Sequence, residues 1–314
     1  MKEWTRRNWL RVVSGAAVGS ALPAFGDEGS KVRETSGCTL GFSTYGMKTL
    51  TTENAIETLA NIGYGAVELT VRSGWDADSA QLTAKRRGEL RTRLQDTGLV
   101  LASLMEHVYP ADDKQQRNAV QRLKLAAQLA HDLSPQRPPL IQTVLGGGNF
   151  EARKQELRDR LGDWLDVAND ARVTIAVKPH RGGVVSQPRE AVWLFEQLGK
   201  PARLRMVYDY SHYAFRDLPV DQTIRTALPF TAHIAVKDAV QEKGRVVFRL
   251  PGAAGTIDFA DVIKRFVAGG YRGDVNCEVS GMVWGQPGYD PIAAARTCYA
   301  NLSKAFAKAG VEPA

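Results

Sequence analysis

Four of the five histidines, His107, His180, His212 and His233, fall on or just after short β-branched or apolar runs. So do the carboxylates Glu68, Glu106, Asp209 and Glu278 and the amines Lys178 and Lys237. Such groups are costly to bury unless they are paired, so their concentration on these runs marks a candidate site. Imidazoles, carboxylates and ammonium groups held together can move protons and stabilise a developing oxyanion. The fifth histidine, His131, ends a helical stretch, where a contact with the helix dipole is the simpler reading.

The runs that position these residues are Thr39–Thr44, Ala66–Thr70, Leu99–Leu104, Leu140–Leu145, Val173–Lys178, Leu204–Asp209, Ala232–Lys237 and Asp274–Val279. Amphipathic stretches alternate with them at Thr52–Ile62, Ser79–Thr97, Asp113–His131, Phe150–Ala171, Pro188–Leu198, Val220–Leu228, Asp258–Val267 and Pro291–Lys308. Eight strands, each followed by a helix with no Pro/Gly-rich linker between halves, predict an α/β chain: a single-domain (β/α)8 TIM barrel over residues 39–310. The alternative is a doubly wound open sheet. The first turn, Tyr45-Gly46-Met47-Lys48, lacks the glycine fingerprint of that fold. Gly146-Gly147-Gly148 reads as a tight turn ahead of a phosphate cradle.

Strand parity sorts the polar residues. Val173, Ile175 and Val177 form an outer face, which turns Ala176 and Lys178 inward with His180 continuing that side. By the same alternation Glu68, Asp209, His233, Ala235, Lys237, Asn276 and Glu278 point into the barrel. Charged groups therefore converge at the carboxyl ends of the strands, where barrels of this kind carry chemistry.

With 314 residues and 44% apolar content the chain can bury a large core, and three cysteines exclude a disulfide scaffold. The formal charge of +7 is partly terminal. Residues 1–26 run from a basic stretch containing Arg6-Arg7 into a short apolar one broken by Gly15, Gly19 and Pro23, the order of a cleavable export signal of twin-arginine type. Cleavage near Gly26 would remove Lys2, Arg6, Arg7, Arg11 and Glu3, leaving 37 basic and 33 acidic residues, a charge of +4. The expectation is an exported, periplasmic protein that uses the twin-arginine machinery, with no stable membrane span and residues 27–38 as a linker.

From about Thr39 to Gly310 the chain resembles the xylose isomerase-like TIM barrel superfamily of sugar isomerases and epimerases. The resemblance is carried by Ala66-Val-Glu-Leu69, Asp209-Tyr-Ser-His212, His233-Ile-Ala-Val-Lys-Asp238, Pro251-Gly-Ala-Ala-Gly-Thr-Ile-Asp-Phe259 and Glu278. It implies a divalent metal, Mg or Mn, held by a Glu on strand five, an Asp on strand six, a His on strand seven and a Glu on strand eight, beside a sugar substrate. Asp209 and Glu278 match two of these positions; Lys178 and Ala235 stand at the other two. An ammonium cannot ligate while protonated. Three roles for Lys178 follow: a stand-in for the cation that stabilises an enolate oxygen, a base or Schiff-base amine, or a salt bridge holding Asp209 and Glu278. A rearranged metal site would draw on Asp209, Glu278, His180 and His212.

The expected catalytic set is Glu278, Lys178, His180 and His212. Asp209, Glu68, His233, Lys237 and Glu106 are expected to meet the substrate, and Trp75 and Trp284 offer aromatic faces to a sugar. Each has a plainer role: a loop cap for His212, an ion pair with Asp238 for Lys237, an Arg partner for Glu68 and Glu106. Arg181 and Arg189 could meet an anionic group; Trp164 and Trp193 belong to the core. The expected reaction moves a proton next to a carbonyl, giving isomerisation, epimerisation or β-elimination. A non-catalytic carbohydrate-binding barrel with a degenerate metal site is the alternative. Few histidines and the modest mature charge argue against a nucleic-acid partner.

Overall fold

A computed structural model describes residues 38–313; the expected leader and residues 27–37 of the expected linker lie outside the described residues. Eight parallel strands close into a barrel: β1 (Thr39–Ser43), β2 (Ala66–Thr70), β3 (Val100–Met105), β4 (Leu140–Thr143), β5 (Ile175–Val177), β6 (Leu204–Tyr208), β7 (Thr231–Val236) and β10 (Asp274–Cys277). Around it run α1 (Thr52–Ile62), α2 (Ala84–Thr97), α3 (Asp113–Leu133), α4 (Phe150–Asp170), α5 (Pro188–Gln197), α6 (Val220–Ala227), α7 (Phe259–Ala268) and α9 (Pro291–Ala309). The (β/α)8 TIM barrel is therefore the observed fold. Thr51, Thr83, Asp112, Asn149, Asp258 and Asp290 start their helices by accepting a first-turn backbone N–H. The cap at Thr83 is why α2 begins there and not at Ser79.

Outward strand residues such as Val67, Leu69, Ile175, Val177, Tyr208, Ile234 and Val275 are buried against the helices in one continuous core. Inside the barrel a separate small cluster, Ala176, Val207 and Ala235, fills the layer beneath the strand ends. Gly41 faces Asn276 there, and a Cβ at this glycine would collide with the Asn276 side chain.

Two elements depart from the expected order. An antiparallel hairpin, β8 (Asp238–Glu242) and β9 (Arg245–Arg249), follows β7 directly, and a single helical turn, α8 (Gly281–Trp284), follows β10. Lys243 and Gly244, with φ of 48° and 75°, make the two-residue turn whose twist matches a hairpin.

Candidate functional site

Lys178, Asp209, Lys237 and Glu278 end four neighbouring strands, β5, β6, β7 and β10, and all four are buried. Each stands two residues beyond Ala176, Val207, Ala235 or Asn276, so together they form one layer over a floor of mostly small side chains. Lys178 donates to Glu278, and its ammonium nitrogen lies 4.0 Å from Asp209. Lys237 donates to Glu278 Oε1 at 2.8 Å and also to Asp209. Two ammonium groups thus alternate with two carboxylates. Lys237 shares with Lys178 the balancing of the two acids.

Burial by itself would raise the Glu278 carboxyl. The charges and hydrogen bonds of Lys178 and Lys237 override it and hold Glu278 below the usual carboxylate range. Burial would likewise lower Lys237, but Asp209 and Glu278 raise it, so it stays protonated. The expected ion pair of Lys237 with Asp238 does not form, because consecutive residues face opposite ways. Asp238 instead accepts N–H bonds from Ala254 at 3.0 Å and Gly255 at 2.9 Å and a hydroxyl bond from Thr256 at 2.6 Å, tying down the Pro251–Phe259 loop.

Asp209 also accepts from the Ser211 backbone and hydroxyl, at 3.1 Å and 2.6 Å. The plainer role of His212 as a loop cap is not seen: it is fully buried, neither ring nitrogen has a hydrogen-bond partner among the described residues, and its Nε2 lies 3.5 Å from Asp209 Oδ2. His180 stacks on it with ring centroids 3.9 Å apart, and Phe248 of the hairpin closes its other side at 5.2 Å. Burial first, and the nearby lysines second, push His180 down to about 4, so both its nitrogens are free of an extra proton near neutrality. Burial and the same cations place His212 well below the ordinary imidazole range.

Glu68 and His233 lie deeper. Glu68 accepts from Ser103 and Gln142 and stands 3.4 Å from His233 Nε2, which is 3.2 Å from Asn276 Nδ2. This network underlies the quartet and does not reach the mouth. Glu106 is outside the group altogether, bonded to Arg122 at 2.5 Å while Arg122 also holds Asp78 at 2.7 Å. Ser103 and Gln142 escaped the sequence reading although both interrupt apolar strands at inward positions.

Trp75 and Trp284 do meet, with centroids 5.8 Å apart. They flank Tyr45 at 5.2 Å and 5.5 Å, an aromatic ring missed in the sequence although it directly follows the first strand. The buried Trp284 Nε1–H has no acceptor among the described residues. Trp164 is core, as expected, and donates to Gln116 at 3.2 Å.

A family model described as the xylose isomerase-like TIM barrel matches residues 56–302. The chain belongs to this family. No curated protein matches it. Among solved structures, a 3-keto-D-glucoside 4-epimerase from E. coli superposes with a TM-score of 0.66 at 14% identity, covering 85% of this chain and 99% of its own. A D-psicose 3-epimerase from Clostridium cellulolyticum H10, solved with D-tagatose, gives 0.68 at 16% identity, covering 86% of this chain and 99% of its own. The IOLI protein, solved with a zinc atom, gives 0.70 at 15% identity, covering 86% and 98%. Identities this low establish a shared barrel.

The IOLI protein is thus seen with zinc, but the donor set of this barrel does not fit a divalent ion. Among the described residues no group of three or more His, Cys, Asp or Glu side chains is placed to hold one. An ammonium already bridges Asp209 and Glu278. The rearranged set of Asp209, Glu278, His180 and His212 is likewise not placed as such a group among the described residues.

Proposed function

We propose that this barrel is a carbohydrate-acting enzyme that moves a proton on a carbon next to a carbonyl, with ammonium groups where relatives hold a metal. The observation that carries the proposal is the alternating quartet at the carboxyl ends of β5, β6, β7 and β10. Glu278 is the proton carrier and Lys178 the oxyanion partner. As Glu278 takes the proton from carbon, the electron pair moves onto the carbonyl oxygen, where the Lys178 ammonium meets the developing negative charge. Asp209 and Glu278 hold Lys237 protonated beside the same oxygen position. A substrate oxygen that takes over an ammonium hydrogen bond frees Glu278 to act as a base. His180, unprotonated near neutrality, is the second carrier, exchanging a proton with the neighbouring carbon's hydroxyl. His212 keeps His180 in place by stacking. Tyr45, Trp75 and Trp284 offer the apolar face against which a sugar ring packs.

Delivery of a proton to the opposite face of the same carbon gives epimerisation, its delivery to the neighbouring carbon gives isomerisation, and departure of a β-hydroxyl as water, protonated by an acid of the site, gives elimination. The test is incorporation of solvent deuterium into a panel of keto-sugars. The wild type exchanges at least one substrate, and Glu278→Gln does not. Exchange at an equal rate by Glu278→Gln would remove Glu278 from the role, and ligand-induced melting shifts without exchange by the wild type would favour a binding protein.

A further inference from the structure

Beside the quartet opens a cleft of about 560 Å3 whose lining includes Tyr45, Arg72, His107, Gly147, His180 and Arg181. That is a volume suited to a small polar ligand. His180 places its inner end against the proposed proton-transfer site, and its rim carries two half-buried guanidinium groups. Neither pairs with a carboxylate among the described residues. Arg72 lies over the Tyr45 ring, 5.8 Å from its centre, and Arg181 donates to the Ala214 carbonyl while its buried Nε has no acceptor among the described residues. Burial and the charge of Arg216 both act on Arg181 to lower its pKa; no acid opposes them. Arg216 is itself bonded to the Ser186 carbonyl at 2.6 Å, the His212 carbonyl at 3.3 Å and the Ser186 hydroxyl at 3.0 Å, all uncharged acceptors. The rim is therefore a concentration of uncompensated positive charge facing a cavity, an arrangement that an anionic ligand completes.

We infer that Arg72 and Arg181 receive a carboxylate of the substrate, so that the sugar this site takes is an acid with its reacting carbon at Glu278 and its carboxylate at the rim. The inference rests on the proton-transfer reading for the reacting end. A phosphate is the other anion that guanidinium groups take, but phosphate sites add backbone N–H groups. Of the amides near the rim, Gly183 donates to the His180 carbonyl at 2.7 Å and His180 to Val185 at 2.9 Å within the loop after β5, and Val184 donates across to Gly146 of the loop after β4 at 2.7 Å. Two planar guanidinium forks match the paired oxygens of a carboxylate, and a phosphate ester among the ligands tested separates the two anions.

The test is calorimetric titration of the full chain with D-glucuronate, D-gluconate, D-glucose and D-glucose 6-phosphate. The same titrations are run on Arg72→Gln and Arg181→Lys. Arg72 is half-exposed and holds no carbonyl, so its replacement leaves the barrel folded. At least one acid binds the wild type about 10 to 100 times more tightly than glucose does, and Arg72→Gln removes most of that preference without weakening glucose. Arg181→Lys, which keeps the charge and loses the fork, recovers part of it. Equal binding of acid and neutral sugars, tightest binding of the phosphate ester, no binding of either acid, or an unchanged preference in Arg72→Gln would each overturn the inference. Selective acid binding without deuterium exchange would keep the carboxylate site and remove the proton-transfer reading. Exchange with no preference for acids would do the reverse.

Discussion

Replacing Lys178 with Met keeps the length of the side chain and removes its charge. Glu278, only 6% exposed, would keep Lys237 at 2.8 Å and lose its other ammonium partner. Breaking a buried ion pair outright costs about 3–5 kcal/mol, and the surviving bond reduces this to about 2–4 kcal/mol. At about 2–4 °C per kcal/mol for a domain of this size, the melting temperature falls by roughly 4–16 °C. The catalytic loss is of a different order, because a preorganised oxyanion donor is worth about 100- to 1,000-fold in kcat. One of the two cations that hold Glu278 down is also gone, so the acidic limb of the kcat/KM profile moves to higher pH. Lys178→Arg separates the two roles: it restores melting, whereas the displaced charge leaves kcat low. Differential scanning fluorimetry and deuterium exchange, run well below both melting temperatures, check this. Exchange by Lys178→Met within about threefold of the wild type would refute the reasoning, since it would leave less than 1 kcal/mol, on the order of RT, for the ammonium to supply.

Three further outcomes follow. Burial, then neighbouring cations, hold His107 at about 3, His180 at about 4 and His212 well below the usual range. Below an unfolded imidazole pKa of about 6.5 the unfolded chain takes up protons first, so stability is full above that pH and lost as pH falls toward about 4. The slope is up to about 1.4 kcal/mol per pH unit for each histidine. Glu106, which burial pushes up to about 7, works in the opposite sense and is outnumbered. Denaturant titrations at pH 7 and pH 5 should show lower stability at pH 5, and equal values would contradict these assignments. Asp238→Ala strips three donors of the Pro251–Phe259 loop of their acceptor, costing about 2–4 kcal/mol and opening that loop to limited proteolysis; an unchanged cleavage pattern would count against the tether. Residues 1–26 are proposed as an export leader, so the exported protein should begin at Asp27 and Arg6→Lys with Arg7→Lys should block export, as N-terminal sequencing of periplasmic material would show.

Much of the barrel was legible because two periods alternate cleanly along the chain. Val173, Ile175 and Val177 show the outward face of β5 directly, and the same parity placed Lys178, Asp209, Lys237 and Glu278 on the inside. Parity gives direction but not distance. It could not show that Lys237, two residues beyond Ala235, reaches both Asp209 and Glu278. The β8–β9 hairpin was missed because Lys243-Gly244 is a weaker turn signal than Asn-Gly, and its strands carry charges on a half-exposed sheet. Phe248 therefore gave no hint that it would cover His212 and Lys237. Arg72, Tyr45 and Arg181 come from three separate loops, and only barrel closure brings them to one cleft.

Paired ammonium groups, Lys178 and Lys237, are proposed to take the place of a divalent ion between Asp209 and Glu278. Metal content of the purified protein, measured together with deuterium exchange before and after chelation, tests this placement most directly. Substoichiometric divalent metal and exchange that persists in chelator are the expected results. One equivalent of a tightly bound divalent ion, with exchange lost on its removal and restored on its return, would contradict it.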